Sequence, residues 1–263
     1  MNMSRILRSP ASSVVQYLIV VGLITYAAYG GAQSLGYNWQ WYRVPQFFGK
    51  FGPDGFVWGP LPEGLLNTLI LSGLSFVLAV VLGFGLALLR LSNLIIGNAF
   101  ANVVMEVVRN SPILVLVYVF YYVLGPIFDF DRFTASILCL AVFHAALISE
   151  IIRAGIRAIK RGQWEAASSI ALTPVDTYRY VIMPQAIRLI LPAMTSEAIH
   201  VLKNSAIVSV IAVAELTTAG RNIISDTFMS FEIWLTVAAI YFVVTVALSA
   251  LISLMEKKYA IRQ

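Results

Sequence analysis

The chain has 263 residues, of which 59% are apolar and only 12% charged, with a mean hydropathy of +0.83. A soluble domain carries about twice that charge fraction, so this surface cannot be covered by polar groups and lipid must be part of its solvent. The net charge of +5 does not point to nucleic acid, because the basic residues sit at the ends of apolar runs and form no patch. The single cysteine, Cys139, excludes an intrachain disulfide.

A helix needs about 20 mostly apolar residues to cross a bilayer. Six stretches qualify: Val14–Ala32, Gly64–Leu89, Ala99–Leu124, Phe133–Ile152, Ile187–Val213 and Ile233–Met255. The third contains Glu106 and Arg109, and the fifth contains Glu197, His200 and Lys203, so these two are poorer lipid-facing spans. The expected fold is therefore all-α and polytopic. Residues 1–63 form a tail, a first helix and an aromatic loop; 64–256 form the main transmembrane domain, with a polar loop at 161–184; 257–263 form a tail.

Lys and Arg in short loops orient such a bundle. With the N-terminus in the cytoplasm, the inside holds Arg5, Arg8, Arg90, Arg153, Arg157, Lys160, Arg161, Arg179, Arg188, Lys257, Lys258 and Arg262. The outside holds only Arg43, Lys50, Arg132 and Arg221. Both termini are expected in the cytoplasm. Arg5 and Arg8 followed by an apolar stretch and Tyr29-Gly30-Gly31-Ala32 also fit a cleaved signal peptide. The apolar core is long for that, and no small-x-small site follows, so a true first span is expected.

Residues 33–63 are rich in aromatics, including Tyr37, Trp39, Trp41, Tyr42, Phe51, Phe56 and Trp58. That density beside a span suits the headgroup layer. Pro53-Asp54-Gly55 has the composition of a turn. In the second apolar stretch, Gly73, Gly83, Gly85 and Ala87 would let helices approach closely.

The polar loop runs from Arg161 through Gly162, Gln163, Glu165, Ala166, Ala167 and Ala171 to Thr173-Pro174, and on to Pro184. Gln163–Leu172 has good helix formers and neither Gly nor Pro. Thr173 is placed to cap a second short helix with Pro174 at its first position. Ala167 and Ala171, four apart, would form a smooth strip, and Glu165 would sit in the first turn, where a carboxylate favours the helix N-terminus. By pattern alone this is either a rigid two-helix knob or an ordinary interfacial loop.

The same run resembles the EAA signature of permease subunits in ATP-binding-cassette importers. Glu165-Ala166-Ala167, three residues, Ala171, nine residues and Val181-Ile182-Met183-Pro184 keep its spacing, with Ala171 in place of the family glycine. Further elements are similar to those of the polar amino acid branch. They are Arg109-Asn110-Ser111-Pro112, Glu150-Ile151-Ile152-Arg153-Ala154-Gly155-Ile156, Gly162-Gln163, Pro184-Gln185-Ala186, Leu191-Pro192 and Leu202-Lys203-Asn204-Ser205. The resemblance covers about Leu65 to Met255. It implies a coupling helix seated in a groove of a cytoplasmic ATPase, and a complex of two permease subunits, identical or homologous, with two ATPase subunits and a periplasmic substrate-binding protein. ATP and Mg would be bound by the ATPase. No cofactor is expected in this chain, whose sequence holds no Gly-x-x-x-x-Gly-Lys-(Ser/Thr) loop. The implied location is the bacterial inner membrane.

Ionisable groups at membrane depth are costly and mark partners or substrate paths. Pro184 and Pro192 are expected to break the helix pattern before Glu197, which makes Glu197, Lys203, Asn204 and Ser205 the leading path candidates, with Arg109 behind them. Asn204 stands where the family often has Asp, which makes the field beside Lys203 more positive and suits glutamate or aspartate. His144 and His200 fit packing or hydrogen bonding better than metal ligation. No His-Glu-x-x-His or Gly-x-Ser-x-Gly motif supports an intramembrane enzyme, and no inverted repeat supports a secondary carrier.

Overall fold

A computed structural model describes residues 10–34, 36–53, 55–92 and 94–259; side chains of 10–13, 28, 32 and 255–259 lie outside the description. Arg5, Arg8, Asp54 and Arg262, used above for orientation and for the turn, lie outside the described residues, as do the side chains of Lys257 and Lys258.

The chain divides into two units, Met1–Tyr42 and Arg43–Gln263. In the first, helix α1 (Pro10–Ser34) contains an apolar span at Val14–Gly31 whose described side chains are exposed. Tyr37, Trp39 and Trp41 follow in a ring-to-ring ladder with centroids 5.2 and 6.2 Å apart. The second unit begins earlier than the expected boundary at residue 63. The reason is packing: Val44 and Phe47 join Leu61, Leu216, Met229 and Ile233 in one apolar cluster.

The second unit opens on a short 3₁₀ segment (Trp41–Phe47, its first two residues in the first unit) and an antiparallel hairpin of β1 (Gly49–Gly52) and β2 (Gly55–Trp58). Phe51, Phe56 and Trp58 lie on one face of it, and Gly55 takes a φ of +116° at the turn. Helix α2 (Pro60–Leu91) starts with proline in its first turn, where no hydrogen bond is lost. It packs along α5 (Arg132–Arg157), the central helix. A Cβ at Gly83 would stand 2.7 Å from Ile148, so only glycine permits this approach; Ala87 is buried in the same seam. Gly73 and Gly85 face open space and do not serve the close packing expected of them.

The expected third span is not one helix. α3 (Ile95–Arg109) and α4 (Ile113–Phe128) meet at 106°. Pro112 disfavours helical backbone at Ser111, and the amide of Asn110 caps the carbonyl of Glu106. The fifth expected span begins earlier than the composition suggested: α7 runs from Pro174 to Ile211, with a π-helical turn at Thr177–Ile182 and a 3₁₀ end at Ser205–Ile211. The π turn falls just before Pro184, and the helix then continues through Pro192. The expectation of a break at Pro192 is thus not met; the ring removes one donor, and the surrounding turns hold the helix. The chain turns by 45° after Ala212, which has a φ of +55°, into α8 (Leu216–Thr227). Glu215 caps α8, accepting from Thr217 and Thr218 N–H at 2.8 and 2.6 Å, while the Thr68 hydroxyl of α2 accepts from Leu216 N–H at 3.1 Å. Helix α9 (Ser230–Tyr259) closes the bundle.

Candidate functional site

Helix α6 (Arg161–Ser169) and the start of α7 form the two-helix knob. Thr173 caps α7 as its sequence predicts: its hydroxyl oxygen accepts from Asp176 N–H at 3.2 Å, with Pro174 in the first turn. Helix α6 starts two residues before the expected Gln163, with Lys160 as its N-cap, so Glu165 falls in the second turn and pairs with Arg161 at 2.9 Å. The helix also ends early. Ala171 N–H donates to Ser168 C=O at 3.0 Å and Leu172 N–H to Ala167 C=O at 3.2 Å, and Ala171 has a φ of +56°. This is a Schellman closure, whose left-handed position favours glycine. Ala171 therefore does not continue a strip with Ala167, which is buried. The departure from the family glycine is a backbone cost rather than added bulk at a contact.

Three contacts bind α6 to α7. Trp164 meets Tyr178 edge to face at 5.2 Å. Gln185 Nε2 donates to Gln163 Oε1 at 3.1 Å. Trp164 and Tyr178 both pack on the cluster of Ile152, Ile156, Ile182, Ala186 and Ile190. The outer face is left uncovered: Gly162, Gln163, Glu165, Ala166, Ala171, Pro174 and Pro184 are exposed. A Cβ at Gly162 would meet open space. Ile170 and Val175, 71% and 73% exposed, flank the left-handed turn and make an apolar tip that sequence inspection missed. Two exposed apolar residues on a polar loop were the available signal.

The path candidates separate into four places. Glu197 and Asn204, two turns apart on α7, both reach His144 of α5, which is fully buried. His144 Nδ1 lies 2.6 Å from Glu197 Oε1 and its Nε2 lies 3.3 Å from Asn204 Nδ2. Lys203 points elsewhere. It is exposed, has no ion pair or hydrogen bond among the described residues, and lines a cavity of about 250 Å³ with Ala206, Tyr241, Phe242 and Thr245. Ser205 is buried and its hydroxyl donates to Leu202 C=O at 2.7 Å. Arg109 belongs to a different group: Glu150 bonds Arg90 and Arg153 at 2.5 Å each, and Arg109 lies 3.6 Å from the same carboxylate. Arg90 also donates to Asn102 at 2.9 Å, tying α2, α3 and α5 together.

A polytopic helical bundle with a helical knob locked to a helix that carries polar groups into the interior matches a known family. Residues 79–261 match the binding-protein-dependent transport system inner membrane component. The chain belongs to this family. It is 35% identical over 211 residues to the glutamine transport system permease protein GlnP of Escherichia coli K12, covering 78% of this chain and 96% of that one. To the glutamate/aspartate import permease protein GltJ of the same organism it is 28% identical over 239 residues, covering 86% and 96%. A solved amino acid ABC transporter, crystallised with histidines, has 42% identity and a TM-score of 0.72, covering 76% of this chain and 94% of that chain. The MetNI methionine ABC transporter shares the fold, with a TM-score of 0.68 at 18% identity over 77% of this chain. This inner membrane component is thus a permease of an amino acid ABC importer. It is a transport subunit rather than a catalytic enzyme, and its family works with ATPase and substrate-binding partners.

Proposed function

We propose that this permease couples ATP-driven closure of a partner ATPase to import of an acidic amino acid, and that α6 and α7 are the transmission. The observation that carries the proposal is the continuity of α7. The helix locked to α6 by the Trp164–Tyr178 and Gln163–Gln185 contacts is the one that bears Glu197, Lys203 and Asn204. A displacement of the knob therefore reaches the midspan through a single packed element. The exposed face of α6, with Ile170 and Val175 at its tip, is the surface offered to the ATPase groove. Gly162, Glu165, Ala166, Ala171, Pro174 and Pro184 lie on or beside it.

The complex contains two permease subunits, identical or homologous, two ATPase subunits that bind ATP and Mg, and a periplasmic binding protein. Both termini face the cytoplasm, in line with the Lys and Arg distribution. ATP binding draws the knobs together and opens the spans outward; hydrolysis resets them.

Lys203 supports an acidic substrate, because an unpaired cation lining a cavity at membrane depth needs an anion. The likeness to the glutamate/aspartate permease GltJ agrees. The higher identity to GlnP favours a second reading, glutamine, whose amide Asn204 and Thr245 would suit. ATP-dependent uptake of labelled glutamate into proteoliposomes holding the whole complex, with aspartate, glutamine and arginine as competitors, separates them. Competition by arginine above glutamate would overturn the acidic reading. Uptake without any ATPase would overturn the coupling reading.

A further inference from the structure

The β1–β2 hairpin has no role in the account above, and it precedes residues 79–261, which carry the family match. Its aromatic residues form one strip. Phe51 and Phe56 are cross-strand partners with ring centroids 5.2 Å apart, and Phe56 meets Trp58 edge to face at 5.1 Å. Gly49 shares this face, and a Cβ there would collide with the Phe56 ring, so the glycine seats it. The described residues leave the strip uncovered: Phe51, Phe56 and Trp58 are 88%, 47% and 63% exposed. Lys50 lies on the opposite face, with Val57 as its partner. Two strands of this length are marginal in water unless a face is covered. The hairpin is nonetheless held at a fixed height. Gly59 N–H donates to Phe48 C=O at 2.9 Å, and a Cβ at Gly59 would collide with the Phe47 carbonyl. Val44 and Phe47, just before the hairpin, pack with Leu61 of α2. Only Gly59 separates Trp58 from Pro60, where α2 begins. The exposed apolar side chains of α2 start at Leu66, about 9 Å along the axis from Pro60, and continue through Leu69, Ile70 and Leu74.

We propose that the hairpin is a lipid anchor, with the Phe51–Phe56–Trp58 strip laid in the outer-leaflet headgroup layer. Its occupant is lipid for three reasons. The strip is joined through Gly59 to the span whose own exposed side chains are apolar. It carries no charge, and Lys50 is turned to the other face, where water can reach it. Trp58 offers an apolar ring and an indole N–H, a combination that headgroup carbonyls and phosphates satisfy. The anchor has a consequence for the bundle. Helix α2 has 32 residues, about 48 Å at 1.5 Å per residue, against about 30 Å of hydrocarbon. Such a helix tilts or shifts, and its interfacial anchors decide how. Arg90 fixes one end through Glu150 and Asn102. The hairpin fixes the other, and so sets the depth of the helix that packs along α5. The choice of leaflet rests on the orientation proposed above; the contact with lipid does not.

The test places single spin labels on the full-length permease, reconstituted with its ATPase in vesicles of phosphatidylethanolamine and phosphatidylglycerol, with the buried Cys139 changed to Ala. Labels at positions 50, 51, 56, 57 and 58 are compared for collision with oxygen, which concentrates in lipid, and with a water-soluble nickel complex. A period of two is expected, with an oxygen-to-nickel ratio severalfold higher at 51, 56 and 58 than at 50 and 57. Equal ratios on the two faces overturn the proposal. So does shielding of position 51 that appears only when the binding protein is added, which would assign the strip to that protein. If labels on the strip prevent assembly, Trp58 reports in their place. With Trp39, Trp41, Trp164 and Trp234 changed to Phe, its fluorescence should be quenched more by lipid brominated near the headgroup than by lipid brominated at the chain end. Absence of quenching overturns the proposal. Phe51→Ser, Phe56→Ser and Trp58→Ser together should shift the depth read by a label at Leu66, and an unchanged depth would remove the role in setting α2. Lys50→Cys in spheroplasts separates the two levels. An impermeant maleimide should modify it from outside. Modification only after lysis overturns the orientation, and with it the leaflet, while the pattern of collisions still decides whether the strip touches lipid.

Discussion

Trp164 of α6 and Tyr178 of α7 meet edge to face with ring centroids 5.2 Å apart, and together they cover the apolar cluster between α5 and α7. Aromatic pairs of this geometry contribute about 0.5–1.5 kcal/mol beyond their buried area. The pair is well placed to transmit a push, because both rings are set on packed helices rather than on a flexible loop.

Trp164→Ala is expected to leave the permease folded and bound to its ATPase but to lower transport per ATP hydrolysed at least tenfold. Uptake and ATPase rate, measured on the same proteoliposomes, check this. Equal loss of both activities would mean that the knob only holds the complex together.

Ala171 pays a backbone cost at φ +56°, and it is exposed. A left-handed residue other than glycine is disfavoured by about 1 kcal/mol. Ala171→Gly should therefore raise the unfolding midpoint of the detergent-solubilised protein, and Ala171→Val should lower it. A drop in stability for the glycine variant would show that the turn is not strained.

Among the described residues, Glu150 is the carboxylate that pairs with Arg90, Arg109 and Arg153. Its Arg90 partner is 13% exposed, so removal of the charge leaves guanidinium groups poorly solvated. Glu150→Gln is expected to destabilise the protein by about 3 kcal/mol. A double-mutant cycle with Arg90→Met, read by thermal unfolding, should give a large coupling energy; additive effects would refute the pairing.

Gly155 of α5 faces Ile190 of α7 so closely that a Cβ there would collide with the Ile190 side chain. Gly155→Val should cost about 1–3 kcal/mol by overpacking. Ile190→Ala in the same chain should recover part of the loss. Lack of recovery would place the strain elsewhere.

Asp131 caps α5 outside the spans, accepting from Thr134 and Phe133 N–H at 3.0 and 3.3 Å. Its bonds to Thr134 hold the carboxyl below the usual aspartate range. A depressed folded value means that the cap stabilises above the unfolded pKa of about 3.9 and loses that contribution as pH falls through the folded value. Asp131→Ala should cost about 1 kcal/mol at neutral pH and nothing in strong acid. Unfolding midpoints at both pH values measure the difference.

Much of this was legible in the sequence because the signals are local. Twenty-residue apolar runs report lipid contact directly, and the Thr173-Pro174 cap depends on neighbours within a turn. The order of motifs from Arg109 to Ser205 identified the family for the same reason. The misjudged features were those in which backbone and distant groups compete. Ala171 looked helical by composition, and only the Schellman closure shows that it leaves the helix. Residues 95–128 looked like one span, since composition does not register the turn that Pro112 forces.

The sequence by itself determined that the chain lives in a bilayer, that it is helical, and which loop carries the family signature. Tertiary structure decided which polar groups meet. Glu197 and His200 are three apart on one helix, yet Glu197 bonds His144, 53 positions away. Two helices that pack face to face bring together side chains at any sequence separation, and a buried imidazole takes whatever acceptor that packing supplies. That choice is made by the register of α5 against α7, set by Gly155, Ile190 and the isoleucines around them, and no single segment encodes it.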